Sequence, residues 1–124
     1  IMVDYKRIDH IALHVSDLAA SIAFYETHFG FENYYEQETP TGIKIAYLRI
    51  ADTILELVGR AEQMSGFHWC LETDDFDGAV AELEANGVEL MQAPHPTDAR
   101  EAKEAGWRRV VFKGPDGEQI ELRG

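Results

Sequence analysis

Apolar and polar positions alternate over residues 8–15. Ile11, Leu13 and Val15 fall on one side and Ile8, His10, Ala12 and His14 on the other, the pattern of a half-buried strand. Ser16-Asp17 then supplies a helix N-cap. Leu18, Ala19, Ile22, Tyr25 and Phe29 recur at helical spacing up to Gly30, which predicts a helix stopped by that glycine. Residues 31–37, 43–50 and 53–58 read as three further strands, separated by a turn at Pro40-Thr41-Gly42 and a tight connection at Ala51-Asp52. A polar stretch, residues 59–66, is expected to be a short linker. The order then repeats: a strand over 67–73, a helix over 76–86 capped by Asp75 and ended by Gly87, and strands over 88–92, 107–113 and 118–122. Gly114-Pro115-Asp116-Gly117 forms the last hairpin turn. Residues 93–106 carry two prolines and a charged run, DAREAKEAG, and are expected to form a short helix or a mobile flap.

The repetition extends to individual residues. FHWCLETDD, from Phe67, matches DHIALHVSD, from Asp9, at a constant offset of 58 residues: His10 pairs with His68, Leu13 with Leu71 and Asp17 with Asp75. The match slips by one residue later, so that Gly30-Phe31 aligns with Gly87-Val88. Two copies of so long a unit indicate a duplicated supersecondary element and not a solenoid, which needs three or more. At 124 residues the chain is expected to be a single α+β domain, residues 1–124, made of two βαβββ modules at about 7–58 and 67–123.

Charge narrows the partners. A net charge of −12 opposes binding to nucleic acid or to anionic membrane surfaces, both of which rely on clustered Lys and Arg. The single cysteine, Cys70, excludes an intrachain disulfide, and no apolar run is long enough for a membrane span or signal peptide, so a reducing cytoplasm is expected. Ile1, which precedes Met2, reads as a remnant of a trimmed tag.

Strand parity then singles out four side chains. Leu55 and Leu57 oppose Glu56, and Ile120 and Leu122 oppose Glu121, so each half offers one histidine on its first strand and one glutamate on its last. If each sheet curls with its helix outside, His10, Glu56, His68 and Glu121 lie on the concave face. Two imidazoles and two carboxylates suit a divalent cation of borderline hardness. Taken singly, each residue has an ordinary explanation: a strand histidine is usually a hydrogen-bonded structural residue, and a glutamate between aliphatics is usually the wet face of a sheet. Their recurrence at equivalent positions is what binary patterning alone does not supply. Arg49, Arg60, Arg100, Arg108 and Arg109 are candidate anion binders but also ordinary counter-charges in an acidic chain. His14 shares the parity of His10. Trp107 follows the proline-bearing segment and is placed to close over a ligand. His14, Arg49 and Trp107 are therefore candidate substrate contacts. Cys70 has no triad partner in the sequence and reads as inert.

These residues carry a resemblance. His10 with Val15-Ser16-Asp17-Leu18, Phe24-Tyr25, Phe29-Gly30-Phe31, Leu55-Glu56-Leu57, His68, and Gly114-Pro115-Asp116-Gly117 leading into Ile120-Glu121-Leu122 resemble the vicinal oxygen chelate superfamily over nearly the whole chain. This is the superfamily of glyoxalase I, methylmalonyl-CoA epimerase, extradiol dioxygenases and the fosfomycin and bleomycin resistance proteins. The resemblance implies paired βαβββ modules whose mixed sheets form a metal-bearing cup, often in a homodimer with the site near or across the interface. It implies His10, Glu56, His68 and Glu121 as ligands of Ni, Co or Zn, with Fe or Mn as alternatives. A carboxylate at position 56 is similar to glyoxalase I, where epimerases tend to have glutamine. The expected function is therefore a glyoxalase I-like lyase or isomerase that stabilises an enediolate of a small oxygen-chelating substrate, with Glu121 as first choice of base and Glu56 as its partner. Extradiol dioxygenase, epimerase-like isomerase and metal-free drug-binding protein are the alternatives. His14 stands where glyoxalase I carries an arginine, and the segment between the second and third ligands is much shorter here, so glutathione is not implied.

Overall fold

Both helices begin where the caps predict. The computed structural model describes residues 7–60 and 68–124. In α1 (Leu18–Phe29) the Asp17 carboxylate accepts from the Ala20 amide at 3.0 Å, satisfying one of the orphan donors of the first turn. Gly30 closes the helix in the left-handed region at φ 72, a conformation that costs glycine nothing because it has no Cβ. In α2 (Phe76–Ala85) Asp75 accepts from Gly78 at 3.0 Å in the same way.

The chain divides into two units, Ile1–Glu62 and Gln63–Gly124. The first contains β1 (Ile11–Val15), α1, β2 (Glu32–Glu38), β3 (Lys44–Ile50) and β4 (Thr53–Gly59). Its sheet runs in the order β1-β4-β3-β2, with β1 parallel to β4 and the other pairings antiparallel. The second contains β5 (His68–Glu72), α2, β6 (Glu89–Pro96), β7 (Arg108–Lys113) and β8 (Gln119–Arg123), in the matching order β5-β8-β7-β6. Each unit is thus the expected βαβββ module with a mixed sheet. The sheets are open, with β1 and β2 or β5 and β6 as outer strands, where a curled cup was expected. The expected linker, residues 59–66, lies largely outside the described residues, as does Phe67. Gly59 ends β4 instead of opening a loop.

Parity decides what each sheet buries. Leu13, Val15, Ala46, Leu48, Leu55 and Leu57 are at most 1% exposed and form the face on which α1 packs, with Tyr25 inserted from the helix and Phe31 edge-on to its ring at 6.0 Å. Val15 and each of the leucines contribute about 1.5–3 kcal/mol through burial. In the second unit Trp69, Val110, Phe112, Ile120 and Leu122 form the corresponding face, and Phe76 and Leu83 are the buried residues of α2. Arg108 ties the start of that helix to β7: its guanidinium lies 4.7 Å from the centre of the Phe76 ring and donates to Asp77 at 2.6 Å.

The two copies part company at β6. The strand does not stop near residue 92 but continues to Pro96 through both prolines, with register irregularities between Leu90 and Gln92 and between Gln92 and His95. Proline is tolerated there because β6 is an outer strand with only one paired edge. A single 3-10 turn, Ala102–Glu104, is all that forms of the expected short helix.

Candidate functional site

In the first unit the last strand aims Glu56 at the histidine that opens the module. Glu56 sits opposite Ala12 of β1 and Tyr47 of β3 in register, so its carboxylate leaves the sheet on the face away from the leucines. His10 immediately precedes β1, and its Nε2 lies 2.8 Å from Glu56 Oε2. The Asp9 carboxylate lies 2.9 Å from the other ring nitrogen, Nδ1. A carboxylate on one nitrogen fixes the orientation of the ring and directs the other toward its target, as partners of metal-bound histidines do. The contact with Asp9 raises the pKa of His10 above its ordinary 6.5, with Glu56 adding to the effect, and it lowers that of Asp9. Sequence reading missed Asp9, because adjacency in a chain says nothing about where two side chains meet.

The second unit repeats the arrangement more loosely. Glu121 pairs in register with Cys70 of β5 and Val111 of β7, and its Oε2 lies 3.7 Å from His68 Nε2. Both carboxylates are nearly buried, with side chains 13% exposed for Glu56 and 9% for Glu121, while the imidazoles are more open. The second copy adds a cation. Arg109 Nε donates to Glu121 Oε1 at 2.9 Å, and its Nη1 donates to Gln92 Oε1 at 3.0 Å and faces His95 Nε2 at 3.2 Å. One oxygen of Glu121 is held by a guanidinium while the other faces His68.

Imidazole and carboxylate donors are of the kind that holds a divalent ion. Two ligands bonded at about 2.1 Å and separated by tetrahedral or octahedral angles sit roughly 3.0–3.4 Å apart. The observed His–Glu separations of 2.8 and 3.7 Å fall just below and just above that range. No three or more His, Cys, Asp or Glu side chains are gathered into a metal-holding group among the described residues.

The remaining candidates divide. Trp107 lines a cavity of about 400 Å³ together with His68, Cys70, Glu121 and Arg123, all in the second unit. Arg49 lies on the sheet face of Glu56 and Tyr47, where its guanidinium lies 4.7 Å from the centre of the Tyr34 ring and 3.4 Å from Glu32. His14 shares the Glu56 face by register with Val58. At Cys70, partial desolvation of the sulfur and then the nearby Glu121 charge push the thiol up to about 11, so it stays protonated and a poor nucleophile at neutral pH. Arg60 is exposed beyond β4, and Arg108 is committed to α2.

Comparison with known proteins follows the same lines. YwbC of Bacillus subtilis (strain 168), an uncharacterised protein, is 33% identical over 127 residues, covering 94% of this chain and 96% of that protein. Mitochondrial methylmalonyl-CoA epimerase of Homo sapiens is 28% identical over 99 residues, 68% of this chain and 56% of the enzyme, so the match spans just over half of that relative. The fosfomycin resistance protein FosX of Listeria monocytogenes, solved with Mn(II) and sulfate, superposes with a TM-score of 0.75 at 20% identity over 98% of this chain and 93% of that one. Residues 7–122 match the family model for these folds, and the chain belongs to the Glyoxalase/Bleomycin resistance protein/Dioxygenase superfamily.

Proposed function

We propose that this protein is a metal-dependent lyase or isomerase of the glyoxalase I type, with His10, Glu56, His68 and Glu121 as its metal ligands. The observation that carries the reading is the duplicated pair: in each unit the histidine at the start of the module faces the nearly buried glutamate of the strand that pairs with β1 or β5. A carboxylate at position 56 separates this set from the two-histidine, one-carboxylate arrangement expected of an extradiol dioxygenase. Nickel, cobalt or zinc suits two imidazoles and two carboxylates, with iron or manganese as alternatives.

When bound, the ion would supply Lewis-acid stabilisation to adjacent oxygens of a substrate as a carbon-bound proton leaves. The protein's share is positioning and proton transfer. Asp9 holds the His10 ring, and Arg109 holds Glu121 by Oε1. Glu121 cannot turn without breaking that ion pair. Glu56 has no guanidinium or ammonium partner among the described residues and is held only by the His10 imidazole at 2.8 Å, so it is the carboxylate without a fixed cation and the one assigned to take up the proton. The tether at Arg109 supports Glu56 as the base in place of Glu121, the first choice from sequence, with Glu121 as the fixed ligand. A second copy of the chain in a homodimer and a reducing cytoplasm complete the proposal, the latter on the strength of a lone cysteine.

Elemental analysis after chelator-free purification, joined to a turnover screen over thiohemiacetals, acyl-thioesters and catechols, tests this reading. Near-stoichiometric nickel, cobalt or zinc with isomerase or lyase turnover, both lost in His68→Ala, is the expected result. Iron with oxygen-dependent cleavage of a catechol would transfer the assignment to the dioxygenases. Absence of bound metal and of turnover would overturn the proposal in favour of a drug-binding protein.

A further inference from the structure

The run DAREAKEAG hides a buried carboxylate. Glu104 is 1% exposed, and its oxygens accept from the Arg100 backbone amide at 2.9 Å, from Arg100 Nε at 3.0 and 3.1 Å, from Arg100 Nη2 at 2.6 Å and from Arg123 Nη2 at 3.0 Å. Arg123 Nη2 also donates to the Asp98 carbonyl at 3.1 Å. Two guanidiniums are thus fixed in place by one carboxylate. Both line the cavity of about 400 Å³ whose walls also include His68, Glu121 and Trp107. The Nη1 groups of Arg100 and Arg123 make no protein hydrogen bond among the described residues.

Charge at this cavity is balanced, unlike that of the whole chain. Glu121 is paired with Arg109, Glu104 with Arg100 and Arg123, and Lys103 lies 3.5 Å from Glu72 and 3.8 Å from Glu101, so cations and carboxylates balance around this wall in a protein whose net charge is −12. A triad serving only to tie residues 97–106 to β8 would be complete with one arginine. Two planar forks with unused donors beside a cavity of small-molecule size make a receptor for a compact oxyanion.

We propose that Arg100 and Arg123, positioned by Glu104, bind the anionic group of the substrate, so that the substrate is a small acid bearing a carboxylate or phosphonate and not a neutral carbonyl compound. This rests on the proposed metal-dependent function only in calling the ligand a substrate. The anion site itself stands on the second unit alone.

Calorimetric titration of the as-purified protein with succinate, methylphosphonate and neutral succinamide tests the assignment, with thermal melts as the control for folding. The two anions are expected to bind and succinamide not to bind; preference for one anion identifies carboxylate or phosphonate as the group recognised. Arg100→Gln is expected to weaken anion binding by about tenfold or more, and Lys44→Gln, which removes an exposed charge from β3 of the first unit, to leave it in place. Should Arg100→Gln fail to fold, Arg123→Lys keeps the charge while losing the fork and is expected to weaken binding several-fold. Succinamide binding as tightly as succinate overturns the proposal, as does unchanged anion affinity in a folded Arg100→Gln or Arg123→Lys. Anion binding lost in His68→Ala but retained in Arg100→Gln would place the anion on the metal centre, overturning this site while leaving the metal reading intact. Anion binding that needs Arg100 in a protein holding no metal would do the reverse.

Discussion

Arg109 and Glu121 meet across β7 and β8, guanidinium Nε to carboxylate Oε1 at 2.9 Å, with Glu121 9% and Arg109 27% exposed. The strand register explains the contact: Val111 stands opposite Glu121 and Arg109 opposite Arg123, so the arginine reaches its partner on the diagonal of one sheet face. Removing the guanidinium leaves a nearly buried carboxylate without its counter-ion and free to rotate away from His68. Arg109→Gln is therefore expected to lower stability by about 2 kcal/mol and to weaken divalent-ion affinity roughly 10- to 100-fold. Urea unfolding and metal titration measure the two effects. Ion affinity equal to that of the parent protein would show that Arg109 has no hold over the ligand.

The two helices start on equivalent caps, which gives a matched pair of variants. Asp17 and Asp75 each accept from the third amide of their helix at 3.0 Å, and α1 carries no acidic residue in its first turn to substitute for the cap, whereas α2 carries Asp77. Asp17→Ala and Asp75→Ala are each expected to cost about 1 kcal/mol, with the larger loss at Asp17. Denaturant titration at neutral pH provides the comparison, and equal or reversed losses would deny Asp77 any supporting role at the N-terminus.

How far the chain can be read from its residues depends on how local each cause is. The caps, the glycine stops and the alternation of Leu55-Glu56-Leu57 and Ile120-Glu121-Leu122 act within a few residues, so they are legible in the sequence, and with them the His–Glu pairs. The proline rule fails at Pro94 and Pro96 because its force depends on whether a strand is central or outer, a property of topology. Arg109 is one arginine among several until the register places it against Glu121. Glu104 runs against its sequence context altogether: a charged run is normally a solvated face, yet this glutamate is more deeply buried than most of the apolar side chains, because Arg100 and the distant Arg123 accompany it.

That burial carries a pH signature. The Arg100 guanidinium, then the Arg100 amide, hold the Glu104 carboxyl at about 2, below its ordinary 4.5. A carboxylate whose pKa is depressed in the folded state stabilises the fold fully above the unfolded value, and the benefit disappears as pH falls through the folded one. The stability difference between the parent protein and Glu104→Gln is accordingly expected to be constant above pH 4.5, to shrink below it and to vanish near pH 2. Urea midpoints taken across this range test it. A difference that persists unchanged to pH 2 would mean that the ion pairs with Arg100 and Arg123 contribute nothing beyond shape.

A ligand set drawn from both units makes a sharper demand than metal binding alone. An ion that binds only the folded protein stabilises it by mass action, about 2.7 kcal/mol when its free concentration is 100 times Kd. Nickel, cobalt or zinc is expected to raise the unfolding midpoint of the parent protein, and a chelator to remove the gain. Because His10 and His68 belong to different units, both His10→Ala and His68→Ala must abolish the effect if one ion uses all four residues. If His10→Ala retained the full metal-dependent gain while His68→Ala lost it, the ion would belong to the second unit alone. Glu56 would then have no ion to leave and no reaction to serve as base, and the duplicated pair would be a relic of the repeat in place of a catalytic centre.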